Sequence, residues 1–281
     1  MHEIYKNERI RRKERKKMKK RIYILCAMFC LIAMHASADT ENSADTTVLK
    51  RRISLGVQIG TDIGGAIPVP LSNIPDKFNP YPQLSVSLGA RITIPLKDRK
   101  WALGTEITYK KIGLDADARV ENQKFEGTDQ GVKKTQYYSG TAKMHMSFTM
   151  LEIPVYAKYA FTSGGSHRLV FGAFGAYYLD NEFHVSATKG YVGNEPDQFE
   201  NSVMPESPID MNFDSSLGSW DAGVLVGYEK NMFSRLNLGI RVMMGFKDIF
   251  TNDNKYFDYK MLNMRGTITV SYNLIDLRTR S

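Results

Sequence analysis

The stretch MLNMRGTITVSYNL, residues 261–274, decides the fold class. Its apolar positions are Leu262, Met264, Ile268, Val270, Tyr272 and Leu274. The polar positions between them are Asn263, Arg265, Thr267, Thr269, Ser271 and Asn273. Successive side chains of a strand point to opposite sides, so strict alternation indicates a β-strand whose two faces meet different surroundings. The stretch therefore predicts a strand with one apolar and one polar face.

The same alternation recurs along most of the chain, in eight segments. They span residues 53–64, 83–96, 101–113, 142–161, 167–180, 217–229, 235–247 and 261–274. A tilted strand needs roughly 9–11 residues to cross a bilayer, and every segment meets that length. No segment has a convincing helical period, so an all-β fold is predicted.

The connections between these segments alternate between short and long. Residues 97–100, 162–166 and 230–234 are short turns, whereas the other four connections are much longer. Barrels of the outer membrane show this alternation, with short periplasmic turns and long external loops. We therefore predict an eight-stranded antiparallel up-and-down transmembrane β-barrel with both termini in the periplasm.

Aromatic residues on the apolar faces are sorted toward the two ends of the predicted strands. The periplasmic set is Trp101, Tyr159, Tyr228 and Tyr272, and the external set is Tyr109, Trp220 and Phe246. Aromatic rings favour the headgroup level of a membrane, so these sets predict two girdles that bound the lipid-facing band.

The opposite faces carry charged residues of both signs. This set comprises Arg91, Glu106, Lys110, Glu152, Lys158, Asp221, Glu229, Arg241 and Arg265. An eight-stranded barrel has an interior that side chains just fill, so we predict a salt-bridged, plugged lumen. A small ion or proton pathway is the alternative.

The fourth segment departs from simple alternation. Its apolar residues occupy even positions up to Met150 and odd positions from Leu151 onward. A β-bulge would shift the phase in this way. Alternatively, the first half of the segment projects beyond the bilayer.

The first 38 residues have the organisation of a cleaved secretory signal. Residues 22–34 form an unbroken apolar run, preceded by Lys19, Lys20 and Arg21 and followed by Ala36-Ser37-Ala38. We expect cleavage after Ala38, with residues 1–17 as an over-extended start. The remaining predicted divisions are a periplasmic leader at 39–52, the barrel at 53–274 and a short tail at 275–281.

The signal also accounts for the basic character of the chain. The chain carries 38 Lys+Arg and 30 Asp+Glu, residues 1–38 carry 11 and 3, and 27 of each sign remain in the mature part. A neutral mature chain lacks the basic footprint of a nucleic-acid-binding protein. Cys26 and Cys30 both lie in the signal, which excludes disulfides and thiolate metal ligands from the mature protein. We expect neither a metal nor a cofactor, since no histidines have metal-ligand spacing and no phosphate loop is present.

One pair of residues in the fourth segment suggests an enzyme. His145 and Ser147 lie two residues apart, on one face of a strand, with Glu152 as a candidate orienting acid. The pair resembles the His-x-Ser motif of membrane-embedded lipid A deacylases, which implies a lipid hydrolase. Phe148 stands where that family usually has asparagine. The alternative is a polar pair that points into the barrel.

The connection at 188–214 is strongly acidic. Three prolines predict an irregular course for it. Its acidic residues are Glu195, Asp197, Glu200, Glu206, Asp210 and Asp214, against Lys189 alone. This composition predicts either a partner- or cation-binding loop or a solvated loop without a partner.

The stretch Leu151-Glu152-Ile153-Pro154, continuing to Tyr159, resembles the central strand of the PorT-like outer-membrane β-barrel proteins. The resemblance extends in outline to residues 171–175 and 268–272, and it implies an outer-membrane barrel without catalytic residues. Expected partners are outer-membrane lipid, the barrel-assembly machinery and envelope proteins that contact the external loops. We expect a non-enzymatic scaffold or interaction module, with a subunit of a secretion or transport assembly and a lipid hydrolase as alternatives.

Overall fold

Eight of the eleven strands in the described part of the chain close into a ring. The computed structural model describes residues 52–278 except 76, 97, 99, 130–131, 163–164, 199, 234 and 252–258. The strands are β1 Arg52–Val69, β2 Lys77–Gln83, β3 Ser87–Pro95, β4 Trp101–Asp129, β5 Val132–Ala160, β6 His167–Gly193, β7 Asn201–Val203, β8 Ile209–Asn212, β9 Trp220–Asn231, β10 Leu236–Asp248 and β11 Lys260–Arg278. The predicted signal and its cleavage site lie outside the described residues.

The ring order is β1, β3, β4, β5, β6, β9, β10 and β11, and neighbouring strands are antiparallel. Pairing of β1 with β11 closes the ring. Each of the eight segments predicted from alternation falls largely within one ring strand. The predicted all-β, up-and-down fold is therefore confirmed. Among the described residues, no helix is long and apolar enough to cross a membrane.

The outer face of the ring is an apolar band. Every ring strand contributes at least one aliphatic or aromatic side chain that is 38–60% exposed. One such residue from each strand is Ile59, Ile92, Ile107, Val155, Phe171, Val226, Ile240 and Val270. Soluble proteins rarely expose contiguous apolar surface on this scale, whereas a lipid-facing barrel requires it.

Strands β4, β5 and β6 continue well past this band. They contain 29, 29 and 27 residues, although roughly 9–11 suffice to cross a bilayer. Strand β2 pairs with the projecting part of β4, and β7 and β8 pair with the projecting part of β6. We call this projecting part of β4–β6, together with β2, β7 and β8, the external sheet. Three of the four connections expected to be long loops, at 65–82, 114–141 and 181–216, therefore form paired strands.

The alternation of β5 does not slip. Met146 and Met150 are fully buried on the same inward face as Glu152 and Lys158. The extra residue near this point is Leu179 of β6, which is left unpaired where Thr149 pairs with Asp180 and Met150 with Tyr178. What changes near Met150 is the environment: above the band the outside is water and the inside is an apolar core. The polarity of the two faces therefore inverts while the strand continues regularly.

The aromatic side chain of Tyr156 packs tightly inside the barrel, between two glycines of the neighbouring strands. Gly104 of β4 and Gly172 of β6 flank Tyr156 in register, one on each side. A Cβ built on Gly104 would lie 2.7 Å from Cζ of Tyr156. The ring cannot easily retreat, because its hydroxyl donates to Glu106 at 2.5 Å and the Arg241 guanidinium lies 4.7 Å from its centroid.

We therefore expect Gly104→Ala to destabilise the barrel by about 1–3 kcal/mol, the usual cost of overpacking. The measurement is urea unfolding of the refolded protein, followed by heat-modifiable gel migration. Gly175→Ala is the matched control, since a Cβ there meets no described atom within 4 Å. Equal losses for the two variants would contradict the packing argument.

Candidate functional site

The predicted lumen charges are all buried inside the barrel, and most form three clusters. The first joins β1, β4, β5 and β10. Arg241 donates two hydrogen bonds to Glu106, at 2.7 and 2.9 Å. Glu106 also accepts hydrogen bonds from Tyr156 at 2.5 Å and from Gln58 at 2.7 Å. One carboxylate thus holds side chains from four strands together.

The second cluster contains two cations and two carboxylates. Lys110 contacts Glu152 at 2.9 Å and Asp62 at 3.2 Å. Arg265 donates to Glu152 and lies 3.5 Å from Asp62. The hydroxyl of Thr267 also donates to Asp62, at 2.6 Å. Charges in this cluster balance, and each carboxylate touches both cations.

The third cluster lies nearer the periplasmic end and is not balanced. Lys158 donates to both oxygens of Glu229, at 2.7 and 2.8 Å. Arg91 contacts the same carboxylate at 3.2 Å and Arg168 contacts it at 3.4 Å. Three cations therefore share one carboxylate.

Asp221 is the predicted lumen charge that joins none of these clusters. One of its carboxylate oxygens accepts from the backbone N–H groups of Ala222 and Lys247, at 2.8 and 3.3 Å. It lies toward the external end, where β9 begins. The barrel thus carries a cationic excess at its periplasmic end and an isolated carboxylate at the other.

Sequence reasoning missed four residues of these clusters: Asp62, Gln58, Tyr156 and Arg168. The signal was present for three of them. Asp62 and Gln58 occupy even positions of β1, opposite Ile59 and Ile63, and Tyr156 has the same parity as Glu152 and Lys158. The side chain of Arg168 lies at the end of its strand and is 29% exposed. At such a position, the alternation of inward and outward residues does not indicate which charges the side chain contacts.

An apolar cluster fills the external half of the lumen. Its members toward the external end include Ile112, Met146, Phe148, Phe183, Phe213 and Phe250. The rings of Phe183, Phe213 and Phe250 contact one another with centroids 5.4–6.3 Å apart. Where this cluster meets the external sheet, a cavity of about 100 Å³ remains. Paired charges below and packed rings above occupy the middle of the described lumen.

The predicted girdle residues lie on the outer face. At the periplasmic end, Trp101 contacts Tyr159 with ring centroids 4.9 Å apart, and Tyr228 lies beside His167. At the external end, the Lys247 ammonium lies 4.0 Å from the Trp220 ring centroid. Tyr109, Phe246 and Tyr272 complete the set at partly or fully exposed outer positions. Tyr177, directly opposite Trp220 in the strand pairing, is an external aromatic that the sequence analysis missed.

The candidate hydrolase residues are not assembled. The expectation that His145 and Ser147 point into the barrel is wrong, because the inward face of β5 is that of Met146 and Phe148. Glu152 lies on that inward face, bound to Lys110 and Arg265, and therefore opposite to the pair it was expected to orient. Among the described residues, no group of three or more His, Asp or Glu side chains could hold a metal ion.

His145 instead belongs to a polar row on the outside of the external sheet. Its Nδ1 lies 2.5 Å from Oδ1 of Asp115, and its ring centroid lies 6.3 Å from that of His184. His184 in turn contacts Asp214 at 3.2 Å. Partial burial alone would raise the pKa of Asp115, but hydrogen bonds from Gln83 and His145 and the nearby histidine charge hold that pKa below its usual value.

A carboxyl with a depressed pKa stabilises the fold above its unfolded-state pKa, about 3.9, and that stabilisation is lost as the pH falls through the folded value. We expect a carboxyl NMR titration to place Asp115 below about 3.9 in the wild type. In His145→Phe the pKa should rise, because one hydrogen bond and one charge are removed. An unchanged pKa in that variant would show that His145 does not hold the carboxylate.

The acidic connection folds back on β6 more regularly than its three prolines suggested. Strands β7 and β8 pair with β6 through residues 201–203 and 209–212. Several acidic side chains tie it to the external sheet: Asp197 accepts from Asn122 at 2.8 Å, and Asp210 accepts from Ser186 at 2.5 Å. Glu195 and Glu206 remain exposed. The connection therefore presents a partly ordered acidic surface.

Two solved structures are among those similar to this chain. Neisserial surface protein A is 12% identical, over 79% of this chain and 98% of that chain, with a TM-score of 0.34. Ail, the attachment invasion locus protein of Yersinia pestis, is 8% identical, over 80% of this chain and 100% of that chain, with a TM-score of 0.33. No curated protein matches the chain.

The family described as "Outer membrane protein beta-barrel domain" matches residues 37–251, well over half of the chain. This match agrees with the closed ring, the exposed apolar band and the charged lumen described above. The chain belongs to this family of outer-membrane β-barrel proteins.

Proposed function

We propose that this barrel is a non-enzymatic outer-membrane scaffold and that its external sheet is an interaction module. The observation that carries the proposal is the length of β4, β5 and β6, which extend far beyond the apolar band. A barrel needs no such extension merely to cross the bilayer. Ordered backbone outside the membrane is instead a platform on which a partner can dock.

The filled lumen supports binding at the surface rather than transport through the barrel. Eight strands leave an interior just wide enough for side chains. Here its periplasmic half holds paired charges and its external half holds packed aromatic rings. A solute would have to break both arrangements to pass.

The charge of the acidic connection at 188–214 points to a basic partner. Glu195, Asp197, Glu206 and Asp210 are all exposed on the connection that pairs with β6. A surface dominated by one sign of charge favours partners of the opposite sign and speeds their association. We therefore propose an envelope protein with a basic patch as the partner, besides outer-membrane lipid and the barrel-assembly machinery.

In-cell photo-crosslinking tests the proposal. A photoreactive residue at Met204, on the external connection, should give a discrete protein adduct, whereas one at Val226, in the apolar band, should not. Substituting Glu195→Gln and Glu206→Gln should reduce the adduct at Met204, as should raised salt, because exposed charges are screened. Absence of an adduct at Met204, or one indifferent to both changes, would contradict the proposal.

Two finer assignments accompany this proposal. Leu151-Glu152-Ile153-Pro154 supports a place among the PorT-like barrels, and an adduct with periplasmic secretion components would favour a subunit of such an assembly. A lipid hydrolase is not proposed, since Glu152 lies on the face opposite His145 and Ser147. Accordingly, we expect Ser147→Ala to leave acyl release from outer-membrane lipid at the background level of the wild type.

A further inference from the structure

A cavity of about 250 Å³ opens at the periplasmic mouth of the barrel. Its walls come from the periplasmic portions of β1, β3, β4, β5, β6, β9 and β11 and from the turn before β4. The residues that give it chemical character are Arg91, Thr93, Lys100, Lys158, Arg168 and Asn273. Neither the external sheet nor the proposed interaction depends on this cavity.

Cations dominate the cavity wall. Arg91, Lys100, Lys158 and Arg168 line it, and Asp276 is the acidic residue among the described lining residues. Asp276 lies on the rim, where it accepts a hydrogen bond from Ser54 at 2.7 Å. Glu229, which Arg91, Lys158 and Arg168 all contact, is not part of the wall. The cations therefore stand between the cavity and their shared carboxylate.

The cationic excess is particular to this end of the lumen. In the first cluster one cation, Arg241, pairs with one carboxylate, Glu106. In the second cluster two cations, Lys110 and Arg265, contact two carboxylates, Asp62 and Glu152. Buried cations without matching anions are costly, because burial removes hydration that one carboxylate cannot replace for three cations. An additional anion at this position would offset that cost.

Unpaired polar atoms in the wall point the same way. Arg91 Nε and Thr93 Oγ1 are buried and have no hydrogen-bond partner among the described residues. Arg91 is only 3% exposed, so water at the surface does not satisfy it. The guanidinium N–H and the hydroxyl can both donate to an oxygen, and hydrogen bonds from charged donors are the stronger kind.

We propose that this cavity binds a small oxyanion, a phosphate or carboxylate group, that enters from the periplasm. The lining cations supply the charge, and Arg91 and Thr93 supply directed donors. Its volume accommodates one such group with part of its hydration shell. Binding would complete the charge balance of the third cluster and fasten β3, β5 and β6 together at the periplasmic mouth.

Calorimetric titration of the refolded full-length barrel in zwitterionic detergent tests the proposal, with inorganic phosphate in one arm and acetate in the other at constant ionic strength. We expect saturable binding in at least one arm. Tighter phosphate binding identifies a phosphate group as the ligand, and tighter acetate binding identifies a carboxylate. Lack of saturable binding in both arms would overturn the proposal.

Variants locate the site. Arg168→Gln should weaken binding roughly fivefold to tenfold, the effect of losing one charged donor. Lys100→Gln, on an exposed turn where folding is not at risk, should weaken it about twofold. Lys247→Gln, near Trp220 at the external end, is the control and should leave the affinity unchanged.

Heat-modifiable gel migration verifies that each variant still forms a closed barrel. Equal weakening by all three substitutions would show nonspecific attraction and overturn the proposal, as would binding indifferent to Lys100→Gln and Arg168→Gln.

Discussion

Replacing Arg241 with methionine is expected to destabilise the barrel by about 3–5 kcal/mol, the cost of leaving one member of a buried ion pair uncompensated. Arg241 donates twice to Glu106 and its guanidinium packs over Tyr156. The substitution preserves much of the side-chain volume, so lost charge rather than an empty cavity dominates the effect. Urea unfolding of the protein refolded into lipid vesicles measures the change.

The matched control is the double variant Arg241→Met with Glu106→Gln. The glutamine removes the unpaired charge but keeps an acceptor for the Tyr156 hydroxyl, which donates to Glu106 in the wild type. We expect this variant to be more stable than Arg241→Met alone, because the buried negative charge is gone. The pairing described here would be contradicted if the two substitutions destabilised the barrel additively, or if Arg241→Met alone cost less than about 1 kcal/mol.

Val226→Arg is expected to destabilise the membrane-inserted barrel by about 2–4 kcal/mol, the range for a cation near the bilayer midplane. Val226 is 60% exposed on the outer face of β9, in the middle of the apolar band. In water, a substitution at so exposed a position would be nearly neutral. The expected loss therefore reports lipid contact rather than packing. Unfolding in vesicles, compared with the wild type at the same lipid composition, gives the value.

Met204→Arg separates the effect of lipid from the effect of charge. Met204 is 56% exposed, nearly as exposed as Val226, but lies on the external connection between β7 and β8. We expect its replacement to change the free energy of unfolding by less than about 0.5 kcal/mol. Similar losses for Met204→Arg and Val226→Arg would place the two residues in the same environment and contradict the assigned band.

The ring strands were predictable because a lipid-facing barrel imposes the strongest form of period-2 patterning. The outer face of each strand meets lipid and the inner face meets paired charges. Neighbouring residues such as Val270 and Thr269, or Ile240 and Arg241, are therefore apolar and polar in turn. Short turns such as residues 162–166 then set the up-down order. Strand boundaries on the periplasmic side follow closely from these two signals.

The external sheet was not predictable from the same pattern. Beyond the apolar band the outside becomes water, so His145 and Lys143 are polar outward residues, and Met144 and Met146 become the inward core. Alternation alone presents this inversion as a phase slip, and it assigned His145 and Ser147 to the wrong face. Recognising where the membrane ends requires the height of each residue, which only the paired strands provide.

The ion-pair partners of the charged residues in the lumen could not be predicted from the sequence either. Parity indicated that Glu106, Lys110, Glu152 and Arg241 point inward, but the register decides that Arg241 meets Glu106 while Lys110 meets Glu152. Asp62 completes the second cluster from β1, more than two hundred residues from Thr267, which donates to it. Charges in a barrel pair across the lumen, so their distance along the chain carries no information about their partners.

Single-cysteine labelling on intact cells tests whether the ring crosses the outer membrane and the external sheet lies outside it. Cys26 and Cys30 are the cysteines of the chain, and replacing both with serine allows introduced cysteines to be probed one at a time. A membrane-impermeant maleimide should label Lys143→Cys on intact cells, Lys100→Cys only after permeabilisation, and Val226→Cys in neither state. Labelling of Lys143→Cys only after permeabilisation, or of Val226→Cys on intact cells, would contradict the account.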